Sequence, residues 1–572
     1  MKNIYSIYKI LFYNIICDHY LIIVPVLILS ILASACQMAF PIAMGDVIND
    51  LTIGSASSVD NPWSRLSPLI VAGLLAAILK YLSSILADRL GAGIAETVRR
   101  AIHRSVVQAK LSDTRHVPKG EFEALTTEEP EYFARLLSQA IPFFIVQGFL
   151  TIAVATSMVM KAEIIAVMTF IPFIGLFLAA LSLQARFVTK FHHSGRLLAE
   201  VGLFAGETLK GLLTVKVFTW ERARQAVFEE KIAHLRITDT EVRTSVSAYH
   251  FIVQLVTTMV IVNICGIGIW QSTTQAAHWT AGDVVALGAL AGLLFQPLTA
   301  LVEISSWVPR GFVAAQRIAA FLSLPVEQET AAVEPFCKPP RICCEKLSFG
   351  YGPDRMVLKG LDLCVEPGEM VGIAGRSGIG KSTLINLLIG GYQPNDGSIL
   401  IGDQPLSSMA LASWRRSIGL VPQDCMLFEG SILDNVRCGR DWLTDEQVMT
   451  AARRARAHDF IMRLPMGYQS HVTQEGKGLS GGERQRLGIA RALAAEPPVL
   501  IFDEATSALD AETENAILDD ICTMAAGCTV LFVSHRSSPL SRAGRVVSLE
   551  NGRLYPVRSL TAPADLDARQ RP

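Results

Sequence analysis

Nine consecutive residues, Gly375-Arg376-Ser377-Gly378-Ile379-Gly380-Lys381-Ser382-Thr383, have types and spacing suited to gripping a polyanion. The glycines let successive backbone N–H groups converge on one anion without Cβ clashes. Lys381 can reach the terminal phosphates of a nucleotide, and the Ser382 hydroxyl can ligate Mg²⁺. The run follows Met370-Val371-Gly372-Ile373-Ala374, which reads as a buried strand, and opens onto Leu384-Ile385-Asn386-Leu387-Leu388, a helical pattern. Strand, glycine-rich loop, Lys-Ser and helix is the setting in which such a loop cradles phosphate, with the helix N-terminus adding its partial positive charge. A glycine-rich turn with an incidental lysine would lack those flanks. The expected ligand is a nucleoside triphosphate.

Further residues suit work on that phosphate. Val499-Leu500-Ile501-Phe502-Asp503-Glu504 is an apolar strand ending in two carboxylates. Side chains of adjacent residues diverge at a strand end, so Asp503 can hold Mg²⁺ through its water shell while Glu504 orients and deprotonates an attacking water. His535 follows the strand-like run 529–534 and can donate a hydrogen bond to a γ-phosphate. Gln423 follows Leu420-Val421 and can contact both Mg²⁺ and the water. Tyr351 precedes the loop at a distance that could fold its ring over a base, a stacking contact of roughly 1–3 kcal/mol. Phe349, on the same strand face, reads as core. Leu479-Ser480-Gly481-Gly482-Glu483 opens another helix, with Ser480 as N-cap and the glycines exposing backbone N–H groups to an anion. One nucleotide cannot easily use two such termini from one domain, so this second terminus is expected to face a nucleotide held by another subunit. Ser507-Ala508-Leu509-Asp510 lies just past Glu504.

The chain must position these groups with 572 residues, more than one core accommodates. Hydrophobic residues make up 51% and mean hydropathy is +0.37, as expected of a membrane protein. A net charge of −1 without a basic domain argues against a nucleic-acid partner. The 11 cysteines are scattered, with no C-x-x-C, and read as reduced, mostly buried thiols. Cys343 and Cys344 are neighbours on a strand and would point to opposite faces, so they are not expected to bridge each other.

Six stretches are long enough to span a bilayer: 21–48, 66–90, 141–160, 164–185, 251–270 and 284–308. Residues 1–20 suit a helix at the membrane surface, and with no cleavage site following they are expected to be retained. Residues 90–140 hold Arg99, Arg100, Arg104, Lys110, Arg115, Lys119 and Arg135, and 186–243 is comparably basic, whereas the three other connections are nearly free of Lys and Arg. That asymmetry places the N-terminus, both long loops and everything after the sixth span in the cytoplasm. Residues 95–111 and 201–235 keep apolar residues at helical spacing, so spans two to five are expected to continue into the cytosol as helices. Their tips are expected at 121–125 with 130–137, and at 209–220. The expected organisation is an all-α membrane domain over 1–322 and a polar, Pro-bearing linker over 323–340. An α/β phosphate-loop domain with a helical subdomain follows over 341–558, then a disordered tail over 559–572.

Polar residues inside spans are costly, a central Lys by roughly 2.5–3.5 kcal/mol, and mark candidate cargo contacts. Lys80, Gln147, Asn263, Gln296 and Glu303 qualify, with Lys80 and Glu303 either lining a polar cavity or forming a structural ion pair. Pro297 and Pro309 give the sixth span places to bend.

The order Tyr351, 375–383, Gln423, 479–483, Asp503-Glu504, 507–510 and His535 closely resembles the ATP-binding-cassette transporters. The six preceding spans resemble that superfamily's exporter-type half-transporters, and Gly211-Leu212-Leu213-Thr214-Val215-Lys216-Val217-Phe218 looks like its second intracellular loop. The resemblance implies ATP and Mg²⁺ as ligands. It further implies a homodimer with head-to-tail cassettes, Ser480 and Gly482 of one chain completing the site at Lys381 of the other. It also implies ATP-driven export by alternating access across the cytoplasmic (inner) membrane. A small or antimicrobial peptide is the favoured cargo. A lipid flippase or hydrophobic-drug exporter is the alternative, followed by an importer of a metal chelate on the same fold or an ATP-gated regulatory channel. No peptidase domain precedes the spans, so leader processing is not expected. Two departures stand out: Glu483 where the family usually has Gln, and Thr473-Gln474 where Gly and Glu are usual.

Overall fold

The computed structural model describes residues 2–52, 62–114, 119–161, 163–273, 279–327, 335–352, 355–473, 476, 478–506, 509–524 and 527–557. It contains two compact units. The first comprises Met1–Ala109 and His116–Pro325; the second comprises Lys110–Arg115 and Val326–Pro572.

The first unit is helical. Its long helices are α1 (Lys2–Thr52), α2 (Pro62–Gln108), α6 (Ile141–Lys161), α7 (Glu163–Lys210), α9 (Glu221–Thr273) and α10 (Ala281–Leu322). Among the described residues, five helices are long and apolar enough to cross a membrane. The expected fourth span falls on α7, whose described apolar piece is Val167–Ala179. The surface segment expected over 1–20 is continuous with the first span in α1. The start of α10 is the most buried span, with just over half of its most apolar window enclosed. A capping box between Thr280 and Asp283 starts it. There α10 presses on α1 so closely that a Cβ on Gly282 would lie 1.9 Å from the Gly45 carbonyl oxygen. The Gly282 N–H donates to Asn49 Oδ1 at 2.8 Å. α10 runs unbroken through Pro297 and Pro309.

Helices α2, α7 and α9 continue well past bilayer thickness, as the periodicity of 95–111 and 201–235 predicts. The second tip forms as expected: α7 ends at Lys210, α8 (Leu212–Val217) makes one turn, and α9 leaves from Glu221. The first tip differs. α2 ends at Gln108, and the residues expected at the tip are helical instead: 121–125 lie in α4 (Lys119–Thr127) and 130–137 in α5 (Glu129–Arg135) and the π-helical turn Leu136–Ala140. Burial explains the difference. Leu125, Phe133 and Ala134 pack against Ile94, Val98 and Ile102 of α2 and Ala315 and Ile318 of α10, so this stretch already belongs to the returning, packed arm. Arg99 fixes it by donating to the carbonyls of Thr126 and Thr127 and to Glu131.

The second unit is α/β. A four-stranded antiparallel sheet orders β2 (Met356–Val365), β1 (Ile342–Gly350), β4 (Asp396–Ile401) and β5 (Gln404–Pro405). A six-stranded sheet orders β12 (Arg553–Pro556), β11 (Arg545–Glu550), β3 (Met370–Ala374), β10 (Thr529–Ser534), β9 (Val499–Asp503) and β6 (Ile418–Val421), parallel except for β12. Strands buried on both faces read as continuous apolar runs, and β9 and β10 are buried at every position. A helical subdomain carries α13 (Ile432–Arg437), α14 (Asp445–Arg454), α15 (His458–Arg463) and α16 (Gly481–Leu493). Trp414, fully buried, pins this unit by donating from its indole to the Leu388 carbonyl at 2.7 Å.

One thiol reading is corrected. Cys343 does not bridge Cys344, as expected, but it is joined to Cys364 in a disulfide. The two are direct partners in the β1–β2 ladder, where cross-strand Cβ atoms stand about 4.5–5.5 Å apart. Reading all cysteines as reduced missed that register.

Candidate nucleotide site

Sheet register delivers the site. In the parallel ladder Ser534 pairs with Ala374, Val533 with Asp503, and Phe502 with Val421. Gly375, His535, Glu504 and Gln423 therefore leave the sheet at one carboxyl-terminal edge, where open α/β sheets bind ligands. The loop between β3 and α11 (Lys381–Leu388) then needs glycine twice. Gly378 has φ +78°, and Gly380 has φ +116° with Val357 Cγ1 2.7 Å from where a Cβ would stand. Arg376, Ser377 and Ser382 are exposed, Gly375 and Ile379 half-buried, and Lys381 and Thr383 buried.

Lys381 Nζ donates to the carbonyls of Gly375 at 2.7 Å and Arg376 at 3.1 Å, and lies 3.3 Å from Glu504 Oε1. Glu504 Oε1 also meets His535 Nδ1 at 3.1 Å, and Gln423 Nε2 donates to Glu504 Oε2 at 3.2 Å. Its backbone sits at φ +49°, a conformation that non-glycine residues rarely adopt and that aims its side chain out of the strand line. The two carboxylates are driven apart in acidity. Burial raises the Asp503 pKa, reinforced by the Glu504 charge and opposed by the Ser382 hydroxyl and Lys381. Burial pushes Glu504 upward too, but the His535 hydrogen bond and the Lys381 charge outweigh it and hold Glu504 below the usual carboxylate value. Glu504 is thus ionised at neutral pH, the state a general base requires.

Ser382 and Asp503 stand in hydrogen-bonding contact, a hydroxyl and a carboxylate side by side. Such hard oxygen donors suit Mg²⁺, which takes one or two protein oxygens and leaves the rest of its shell to phosphate and water.

Tyr351 is placed where a ring could cover a base. It is part-exposed, its hydroxyl lies 3.0 Å from Thr383 Oγ1, and it meets Phe349 and Tyr392 edge-on at 5.2 and 5.6 Å. Phe349 is core, as read from the sequence. Tyr392 is an addition that no motif announced; only the fold brings it to Tyr351.

Ser480 caps α16, and Gly481, Gly482 and Glu483 form its first turn. Ser480 Oγ and N both donate to Glu483 Oε2 at 2.8 Å, closing a capping box. Burial raises the Glu483 pKa, but these bonds and nearby Arg486 and Arg463 lower it on balance. Asp510 Oδ2 accepts from the Thr513 N–H at 2.9 Å. Ser507, Ala508 and Gln474 lie outside the described residues. The contacts among described residues join Lys381, Gln423, Asp503, Glu504 and His535; Ser480–Glu483 and Asp510 stand apart from that group.

Among the described side chains, no contact joins the polar residues of the spans. Lys80 on α2 and Gln296 on α10 are exposed. Gln147 on α6 has a buried Oε1 without a hydrogen-bond partner among the described residues. Asn263 on α9 donates to the Met259 carbonyl and borders a cavity of about 520 Å³. The side chain of Glu303, and with it the Lys80–Glu303 pairing, lies outside the described residues.

Comparison with known proteins decides what this arrangement belongs to. The ABC transporter family matches residues 358–507, and the ABC transporter transmembrane region matches residues 21–298. The ATP-dependent lipid A-core flippase of Chromohalobacter salexigens is 30% identical over 92% of this chain and 91% of its own length. The chain belongs to the ABC transporters. The flippase of the same name from Legionella pneumophila (strain Paris) is 29% identical over 99% of this chain and 96% of its own. The cyclolysin secretion/processing ATP-binding protein CyaB of Bordetella pertussis is 35% identical over 65% of this chain and 51% of its own. Among solved structures, a bacterial Atm1-family ABC exporter with ATP bound aligns with a TM-score of 0.81, 25% identity, and coverage of 97% and 99%. The ABC exporter half-transporter read from the motifs is therefore what the chain is: a multi-span membrane domain fused to an ATPase cassette, an exporter driven by ATP.

Proposed function

We propose that this transporter works as a homodimer in the inner membrane, with its cassettes in the cytoplasm, and that its cargo is an amphipathic lipid moved from the inner leaflet outward. The observation that supports the pump chemistry is the cluster of Lys381, Glu504, His535, Gln423 and the Ser382–Asp503 pair at one sheet edge. ATP phosphates take the loop N–H groups and the Lys381 ammonium. Mg²⁺, held by Ser382 and Asp503 with Gln423 beside them, would offset phosphate charge. Glu504, ionised and oriented by Gln423 and His535, accepts a proton from the attacking water.

Two features support the dimer. The α16 N-terminus, a second anion-binding helix end, stands apart from the Lys381 cluster, as needed if Ser480 and Gly482 serve the other copy's nucleotide. The tip around α8 also exposes Leu213, Val217, Phe218 and Trp220, a run of apolar side chains at the far end of a solvated hairpin that suits docking on a second copy.

For cargo, the flippase relatives and the apolar cavity beside Asn263 support a lipid over the small peptide favoured from sequence. The deciding experiment is ATP hydrolysis by the purified chain in nanodiscs, beside Glu504→Gln, against a panel of lipids, peptides and drugs. Glu504-dependent hydrolysis stimulated by lipids is the expected result. Stimulation by peptides alone overturns the lipid reading, and folded protein that binds ATP without hydrolysing it overturns the homodimer.

A further inference from the structure

Strand pairing between β9 and β10 ends at Asp503 and Val533. Past that pair, three contacts among the described residues tie 504–506 to 533–536. The Glu504 N–H donates to the Val533 carbonyl at 2.9 Å. The His535 ring meets the Glu504 carboxylate at 3.1 Å. Two residues beyond Glu504, the Thr506 carbonyl accepts from Arg536 Nη1 at 3.4 Å, and Thr506 is buried. The same carbonyl accepts from the Leu509 N–H at 3.2 Å, closing the turn that leads to Asp510.

Arg536 is itself held at its root. The buried Ser534 hydroxyl accepts the Arg536 N–H at 2.9 Å, a side-chain-closed turn with His535 at its centre. One short segment therefore carries the partner of the Glu504 carboxylate and the donor to the carbonyl that follows it.

The conformation of Glu504 gives this arrangement a purpose. At φ +49° its backbone is in a region that a residue with a Cβ leaves unless neighbouring contacts over-determine it. Val533 holds the near side of Glu504 through its N–H, and Arg536 holds the far side through Thr506. With the far side released, rotation at Glu504 to an ordinary negative φ would swing its carboxylate away from Lys381, Gln423 and His535. A guanidinium suits the task, because a charged donor makes a stronger bond to a carbonyl than a neutral one does.

We propose that Arg536 is a positioning residue for hydrolysis, keeping Glu504 aimed by holding the Thr506 carbonyl, with Ser534 fixing the turn from which it reaches. The inference rests on the reading of Glu504 as general base and names what keeps that base in place. It predicts an effect on the chemical step and not on nucleotide binding, since the gripped carbonyl lies outside both the 375–383 loop and Tyr351.

The test measures ATP turnover and ATP affinity of the full-length protein in nanodiscs. Arg536→Met keeps a long stem without a donor. It should lower kcat about ten- to a hundredfold with the ATP Kd within about twofold. Arg536→Lys restores a charged donor and should recover turnover to within about threefold. Combined with Glu504→Gln, Arg536→Met should cost less than about twofold more, because the group it positions is already gone. A merely structural role would instead carry its full loss into that background. If Arg536→Met does not fold, Ser534→Ala carries the test, with turnover expected to fall about two- to tenfold at unchanged affinity. Three results overturn the proposal: turnover of Arg536→Met within twofold of the unaltered protein, a loss matched by an equal loss of ATP affinity, or an undiminished loss beside Glu504→Gln. Hydrolysis that survives Glu504→Gln would instead defeat the general-base reading itself, so the two failures are told apart.

Discussion

In the cassette, Gln423 and His535 from the ends of two parallel strands and Lys381 from the glycine loop each come within 3.3 Å of Glu504, at the end of a third strand. In the membrane helices, five polar residues fall on four helices, and of the four whose side chains are described Asn263 borders a cavity. The difference follows from the ligands. A triphosphate carries fixed charges at fixed spacing, so its recognition demands N–H groups, a cation and carboxylates at set positions, and such positions leave a readable spacing in sequence. An apolar cargo is held by area, which many side chains supply interchangeably and none is obliged to.

Substitutions at four positions sharpen or break that contrast. The largest effect is expected in the cassette. Glu504→Gln keeps the shape and removes the base, so hydrolysis should fall about 10²- to 10⁴-fold while ATP binding persists, read by steady-state turnover and nucleotide titration. Next is Tyr351→Ala, which should weaken ATP binding about five- to a hundredfold. Tyr351→Phe, which retains the ring and loses only the contact with Thr383, should lose much less.

The third turns on acidity. Glu504 is held below its ordinary pKa chiefly because the His535 hydrogen bond and the Lys381 charge overcome burial. A depressed carboxylate contributes its favourable interactions at neutral pH and loses them as pH falls through the lowered value, so the acid limb of hydrolysis should lie below the ordinary glutamate range. His535→Ala should move that limb to higher pH, measured as turnover against pH, in addition to lowering the maximum. The smallest effect belongs to the membrane half. Asn263→Leu should alter cargo-stimulated hydrolysis less than about threefold, because its amide donates to its own helix. A loss on the scale of Glu504→Gln would break the comparison and make Asn263 a point of specific recognition.

Legibility in the sequence divides along the same line. The loop 375–383, the carboxylate pair, Gln423, His535 and Tyr351 were readable because each sits next to a strand or helix whose periodicity is itself visible. The extended α2, α7 and α9 were readable from apolar spacing that outruns a bilayer. What escaped depends on which distant segments become neighbours. Cys364 stands 21 residues from Cys343 and meets it only through strand register. Tyr392 meets Tyr351 edge-on only once the fold has formed. The stretch expected at the first tip belongs to a packed arm, since the helical patterns of 121–125 and 130–137 look alike in a tip or an arm, and only packing against α2 and α10 tells them apart.

Lys381 already has three partners within its own chain: two loop carbonyls and the Glu504 carboxylate. A triphosphate arriving in the proposed cycle therefore exchanges one set of oxygens for another, and the binding strength is the difference between two well-matched sets. That keeps the bound product shallow in free energy. Once the γ-phosphate has left, the same two carbonyls and Glu504 are at hand to take the lysine back.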